Sequence, residues 1–240
     1  MGRLDALKDK YRVIRFDWPP YGLSTDSAPS TGMPGVVALL EKVVAAKGLE
    51  RFAMVGTSSG ATISTLYAAR HPDQVTALAL SALPLEAPPP TDFSRLMWAM
   101  IWTHENIVPN YYPRAYYRQS LSELYGRPGR LTDATVDWYY QTNTIPGGFA
   151  RVKAYWEANK KAVWAKGAAG DAAQVTAPIL LQWGDRDPVL PKALASKAVS
   201  QFEQAKVDVI HYPDVGHYPM LELPAETAKD LRTWLDRTVK

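Results

Sequence analysis

Gly56-Thr57-Ser58-Ser59-Gly60 constrains this 240-residue chain more than any other segment. The run at 51–55 before it is apolar and of strand length. The run at 61–70 after it favours a helix and is stopped by His71-Pro72. Gly-x-Ser-x-Gly between a strand and a helix describes a sharp turn that lifts the serine above a sheet edge. Such a turn is too tight for side chains, so glycine is expected where backbone passes close to backbone. The free N–H groups at the helix head then face the serine, where negative charge would develop. Ser58 is a candidate nucleophile, and the Ser59 N–H is a candidate oxyanion donor.

The surrounding sequence supplies a matching frame. Strands are expected at 11–16, 51–55 and 75–81, with a helix between the first two. That helix is signalled by Val36, Val37, Leu39, Leu40, Val43 and Val44 at helical spacing, and Gly48 suits its C-terminal cap. Strands alternating with helices imply a mostly parallel sheet flanked by helices. Pro88-Pro89-Pro90 interrupts this pattern. Beyond it, Phe93, Leu96, Met97, Met100 and Ile101 follow helical spacing, and Thr132 can cap a helix carrying Val136, Tyr139 and Tyr140. The segment 86–172 holds more than half of the chain's aromatic residues. It reads as a helical insertion with an aromatic inner face, much of which would pack the insertion's own small core. The α/β pattern resumes with strands at 179–183 and 207–211 and helices near 192–204 and 225–238. The expected organisation is an α/β core in two parts, 1–85 and 173–240, around a helical cap at 86–172.

Composition narrows the possible roles. Apolar residues make up 47% and charged residues 21%, an ordinary globular profile. A net charge of +3 with no basic block argues against a nucleic-acid partner. The chain has no cysteine, so disulfides, thiolate catalysis and thiolate metal sites are excluded together. No His/Asp/Glu cluster has metal-ligand spacing, and neither a metal nor an organic cofactor is expected. The first ten residues mix charges without an apolar run, so no signal peptide is expected. No apolar run approaches 18 residues, so no membrane helix is expected either. A cytoplasmic location is consistent with all of this.

Two further segments lie just past predicted strands, where groups gather at the carboxyl edge of an open α/β sheet. They are Gly184-Asp185-Arg186-Asp187-Pro188 and Gly216-His217-Tyr218-Pro219. An imidazole that takes the proton of a serine hydroxyl, itself held by a carboxylate, turns that hydroxyl into a nucleophile. Together with Asp17-Trp18-Pro19-Pro20-Tyr21-Gly22-Leu23-Ser24, the elbow, Glu222 and Pro224, these segments make the sequence resemble an α/β-hydrolase of the cap-domain type. The resemblance covers about 11–85 and 173–239, with the insertion matching only as a cap in the usual place. It implies a triad of Ser58, Asp187 and His217, with Asp187 preferred to Asp185 by the family pattern Gly-x-x-Asp. Asp185 is then a turn or cap residue and Asp214 a loop carboxylate. Glu222 would support the loop bearing His217, and Asp17 would be structural. His71, His104 and His211 belong to no motif and are expected to be structural or at the surface.

Serine at position 58 points to acyl transfer, whereas relatives with aspartate there displace at carbon. Hydrolysis of a small carboxylic ester through an acyl-enzyme is the leading expectation, with a small apolar or aromatic acyl substrate. Lactone opening, amide or iminopeptide cleavage, carbon–carbon hydrolysis and acyl transfer to alcohol or peroxide use similar parts. A non-catalytic binder on the same fold is the alternative of another class. An imidazole base works only when neutral, so activity should fall on acidification. The sequence departs from the resemblance at its start. Three strands that family members carry ahead of residues 11–16 are missing, and so is the His-Gly loop that supplies a second oxyanion N–H. Pro19 and Pro20 have no N–H to offer in its place. An N-terminal segment absent from these 240 residues is the expectation that follows.

Overall fold

A computed structural model describes residues 6–22, 24, 31–108, 111–144, 148–164 and 166–239. Met1–Asp5 and Leu23, singled out in the sequence, lie outside them. Four strands form one parallel sheet in the order β1-β2-β3-β4: Phe52–Thr57, Val75–Ser81, Ile179–Gly184 and Val207–Tyr212. Because sequential strands are also spatial neighbours, right-handed crossovers place their connections on one face. That face packs against α1 (Met33–Ala46), α2 (Ser59–Arg70), α7 (Ala169–Ala172) and α8 (Ala193–Ser200) through Val37, Leu66, Leu78, Ile179, Leu181 and Trp183. The other face packs against α10 (Pro224–Thr238), which follows the short α9 (Pro219–Glu222), through Ala77, Ala79, Leu180, Leu231 and Trp234. Among the described residues no helix is long and apolar enough to cross a membrane.

The helix boundaries have local causes. α1 ends as the glycine at 48 predicts. Gly48 adopts φ +59°, its N–H bonds to Ala45 O at 3.1 Å and the Leu49 N–H bonds to Val44 O at 3.1 Å, a Schellman cap. α2 is buried along almost its whole length, including Thr62, Ser64 and Thr65. Their hydroxyls stay satisfied by donating to Pro84 O, Gly60 O and Ala61 O, so burial leaves no hydroxyl of the three unpaired.

Between β2 and β3 the chain forms α3 (Arg95–Asn106), α4 (Arg114–Leu124), α5 (Asp133–Asn143), α6 (Gly148–Asn159) and a π-helical turn at Lys160–Trp164. Thr132 caps α5 by accepting the Thr135 N–H. The aromatic residues of this segment are split, not turned inward as a set. Tyr112, Tyr125 and Tyr155 are buried, while Trp98, Trp102, Tyr111 and Trp138 face solvent.

The strand expected at 11–16 does not form. Leu7 and Tyr11 pack with the α10 cluster, and Asp236 accepts hydrogen bonds from Lys10 at 2.7 Å and Tyr11 at 2.9 Å. The following residues run without ladder pairing, and Val13, Ile14 and Phe16 are exposed. A parallel strand needs a neighbour with a free edge beside it. β1 has no second partner in the sheet among the described residues, and its Val55 is 45% exposed where a central strand would bury it.

Candidate active site

Ser58 joins β1 to α2 at φ 51°, ψ −122°. Only a few per cent of non-glycine residues have positive φ, and such strain persists where the surroundings enforce it. Here the Ser58 N–H is tied to Ser81 O at 2.9 Å, and the Ser58 carbonyl accepts from Ala61 and Thr62. A Cβ at Gly56 would lie 2.4 Å from Gly60 O, so the first glycine is required by close approach. The second is not: a Cβ at Gly60 meets nothing within 4 Å, so that glycine serves by the backbone it presents to Gly56. The Ser59 N–H, at the first position of α2, has no intrahelical acceptor.

His217 Nε2 lies 3.2 Å from Ser58 Oγ, and His217 Nδ1 lies 2.8 Å from Asp187 Oδ2. A carboxylate can only accept, so the proton sits on Nδ1 and leaves Nε2 as acceptor toward the serine hydroxyl. The Asp187 and His217 side chains are 0% and 5% exposed. The other oxygen of Asp187 accepts from Val189 N at 2.8 Å and Leu190 N at 2.9 Å, which fixes the carboxylate's plane. Asp185 is not part of this chain of contacts. It pairs with Lys192 at 2.5 Å and His211 at 2.7 Å; burial pushes its pKa up, but these partners outweigh that and hold it below the usual value.

The His217 loop is clamped from two sides. Glu222, its side chain fully buried, accepts from Gly216 N at 2.6 Å, Gly126 N at 2.9 Å and Arg127 N at 3.1 Å, with Arg130 at 3.4 Å. The His217 N–H donates to Leu124 O at 2.8 Å. Three glycines make this approach possible. A Cβ at Gly184 would lie 2.1 Å from Gly216 O, one at Gly216 2.2 Å from Leu124 O, and one at Gly126 2.6 Å from the Val215 carbonyl carbon. Glu222 therefore holds its loop as its motif implies. Its partners at 126, 127 and 130 are beyond sequence reasoning, because they come from a segment far away in sequence.

The remaining candidates have separate places. Asp214 pairs with Arg127 and, at 3.0 Å, with Arg186. His71 pairs with Glu41 at 3.0 Å. His104 is buried against Tyr112 and Tyr116. Asp17 supports a turn: Gly22 adopts φ +60°, and a Cβ there would lie 2.2 Å from Asp17 Cγ. That turn carries Trp18 and Tyr21, whose rings stack at 5.8 Å and both contact Tyr155 of α6. On the other side Tyr218 packs on His217 at 4.9 Å and on Tyr139 at 6.1 Å. These aromatic neighbours from α5 and α6 have no motif that could have identified them. Among the described residues no group of three or more His, Asp or Glu side chains could hold a metal ion.

Comparison with known proteins bears on the fold and family. A family model described as the alpha/beta hydrolase fold matches residues 4–224. A protein named proline iminopeptidase from Xylella fastidiosa (strain 9a5c) is 32% identical over 112 residues, which is 46% of this chain and 33% of that protein. The match thus spans about a third of the curated relative's length. Among solved structures, a meta-cleavage product hydrolase from Pseudomonas fluorescens IP01 superposes with a TM-score of 0.76 at 16% identity, covering 98% of this chain and 84% of the other. A membrane phospholipase A superposes with a TM-score of 0.69 at 24% identity, covering 90% and 66%. At such identities the likeness is one of fold. With a family match over most of its length and a fold shared with these hydrolases, the chain belongs to the alpha/beta hydrolase fold family.

Proposed function

We propose that this chain is a serine hydrolase that cleaves a small carboxylic ester through an acyl-enzyme. The observation that carries this reading is the continuous contact from Ser58 Oγ through His217 to Asp187, with steps of 3.2 and 2.8 Å. In the first step Ser58 Oγ bonds to the ester carbonyl carbon, its proton passes to His217 Nε2, and the carbonyl π pair moves onto oxygen. The oxyanion accepts from the Ser59 N–H. Asp187 stays ionised and stabilises the imidazolium. Collapse expels the alcohol, which takes the proton from His217. Water, deprotonated by the same imidazole, then releases the acid and restores Ser58. The rings of Tyr21, Tyr139, Tyr155 and Tyr218 favour an apolar or aromatic acyl group.

The test is hydrolysis of p-nitrophenyl acetate and butyrate by the wild type and by Ser58→Ala. The expected result is turnover reduced by at least about 10³-fold in the variant. Equal rates in the two proteins would refute the reading. A second reading, iminopeptide cleavage, is favoured by the match to a protein named proline iminopeptidase. It predicts Ser58-dependent release of p-nitroaniline from proline p-nitroanilide at a higher kcat/KM than for the esters.

A further inference from the structure

Ser64 and Thr65 of α2 donate their hydroxyls back to the carbonyls four residues earlier, at 2.8 Å to Gly60 O and 3.0 Å to Ala61 O. This is the ordinary habit of a hydroxyl inside a helix. Thr62 departs from it. Its Oγ1 leaves the helix and donates at 2.6 Å to Pro84 O, 22 residues further along the chain. Thr62 is fully buried, and so are Leu83, Pro84 and Leu85 in the turn that follows β2. A carbonyl buried there depends on a donor from the protein.

The turn itself is strained. Ala82 adopts φ 46°, and besides Ser58 it is the one non-glycine residue at positive φ among the described residues. A Cβ is crowded in that region, so the conformation persists only where the surroundings enforce it. Two contacts do so. The Ala82 N–H donates to Gln182 O at 3.3 Å on one side, and Thr62 holds Pro84 O on the other. The two strained residues are neighbours: Thr57 pairs with Ser81 across β1 and β2, and Ser58 and Ala82 are the next residue of each strand. Hydrogen bonds close a circuit around the nucleophile. Ser81 O accepts the Ser58 N–H at 2.9 Å, and the Ser58 carbonyl accepts the Thr62 N–H at 3.2 Å. The Thr62 hydroxyl completes the circuit at Pro84, in the same turn as Ser81.

We propose that Thr62 is a positioning residue for the nucleophile, its hydroxyl locking the left-handed Ala82 turn against α2 so that Ser58 keeps its strained backbone. The proposal rests on the acyl-transfer reading of Ser58. Both peptide groups that flank Ser58 end on this circuit, so its φ and ψ are set from two sides at once. Without the hydroxyl, Pro84 O loses its donor, the Ala82 turn relaxes, and Ser81 O shifts against the Ser58 N–H. The 3.2 Å approach of Ser58 Oγ to His217 Nε2 depends on that backbone. Thr62 acts through the backbone alone and exchanges no proton.

The experiment compares wild type, Ser58→Ala, Thr62→Val and Thr62→Ser. It measures kcat and KM for p-nitrophenyl butyrate, the rate of labelling by an alkyl fluorophosphonate, which phosphonylates an activated serine, and the thermal midpoint. Rates are taken well below the lowest midpoint, where every chain is folded. Thr62→Val keeps the branched shape and removes the O–H; Thr62→Ser keeps the O–H and removes a methyl. In Thr62→Val, kcat and the labelling rate are expected to fall together by roughly tenfold with KM nearly unchanged, since a shift of about 1 Å at a reacting group is worth about 10²-fold. Thr62→Ser is expected to keep both rates within about twofold even where its midpoint falls, because a lost buried methyl lowers stability and leaves the hydrogen bond in place. Rates in Thr62→Val within about threefold of wild type, or equal losses in the two variants, would overturn the proposal while leaving the triad standing. Loss of folding in Thr62→Val would make the hydroxyl a stability element and overturn it as well. Wild-type turnover no greater than that of Ser58→Ala would remove the acyl-transfer reading and this proposal with it.

Discussion

Two aspartates two positions apart have opposite surroundings. Asp187 gives one oxygen to His217 and the other to two backbone N–H groups, and its side chain is fully buried. Asp185 pairs with Lys192 and His211 on the outer side of the same turn. Asp187→Asn keeps an oxygen for Val189 and Leu190 but presents an amide N–H₂ to His217, which favours the wrong tautomer. A kcat loss of about 10³–10⁴-fold is expected, with little loss of folding. Asp185→Asn changes a partly buried carboxylate whose partners Lys192 and His211 are exposed; it should leave kcat within about twofold and shift stability by about 1 kcal/mol. Ester kinetics and thermal melts of the two variants, side by side, decide which carboxylate serves the histidine. A larger kcat loss in Asp185→Asn would reverse the assignment. The distinction was legible in the sequence only through the family pattern Gly-x-x-Asp, since both residues follow the same strand.

At the scale of elements, the His217 loop depends on a segment far away in sequence. Glu222 Oε1 accepts from Gly216 and Gly126, and Oε2 accepts from Arg127 and Arg130. Glu222→Gln replaces one of these acceptors by a donor facing other donors. The expected cost is about 1–3 kcal/mol of stability. Displacement of His217 should lower kcat by roughly 10–100-fold, since a 1 Å shift at a reacting group is worth about 10²-fold. Denaturation midpoints and ester kinetics check both, and unchanged values would show that the clamp is dispensable. The sequence made β1 to β4, α1, α2 and α10 legible, because apolar runs and helical spacing are local signals. The 11–16 segment misled for the converse reason. Its residues have strand composition, but pairing depends on a neighbour that these residues do not meet. The three glycines at 126, 184 and 216 were equally silent, because close approach between distant segments leaves no local pattern.

Across the whole molecule, the pH response follows from buried phenols. Burial pushes Tyr117 and Tyr155 up to about 12 and raises Tyr21, Tyr125 and Tyr139 further in the same direction. In the unfolded chain these groups lose their protons near pH 10. Above that pH the unfolded state holds fewer protons than the folded state, so stability is complete below about pH 10 and falls as pH rises toward 12. Urea midpoints between pH 8 and 11.5 should decline above pH 10, and the 295 nm absorbance of phenolate should rise in step with unfolding. A flat midpoint to pH 11.5 would mean that these rings are accessible in solution.

The central claim is that Ser58 is acylated by way of His217 and Asp187. The most direct measurement is intact-protein and peptide mass spectrometry of the enzyme acid-quenched during turnover of p-nitrophenyl butyrate. The account predicts one butyryl group per chain on the peptide that contains Ser58, absent from Ser58→Ala and strongly diminished in His217→Ala. Turnover that persists without any adduct on that peptide, or an adduct that survives Ser58→Ala, would contradict it.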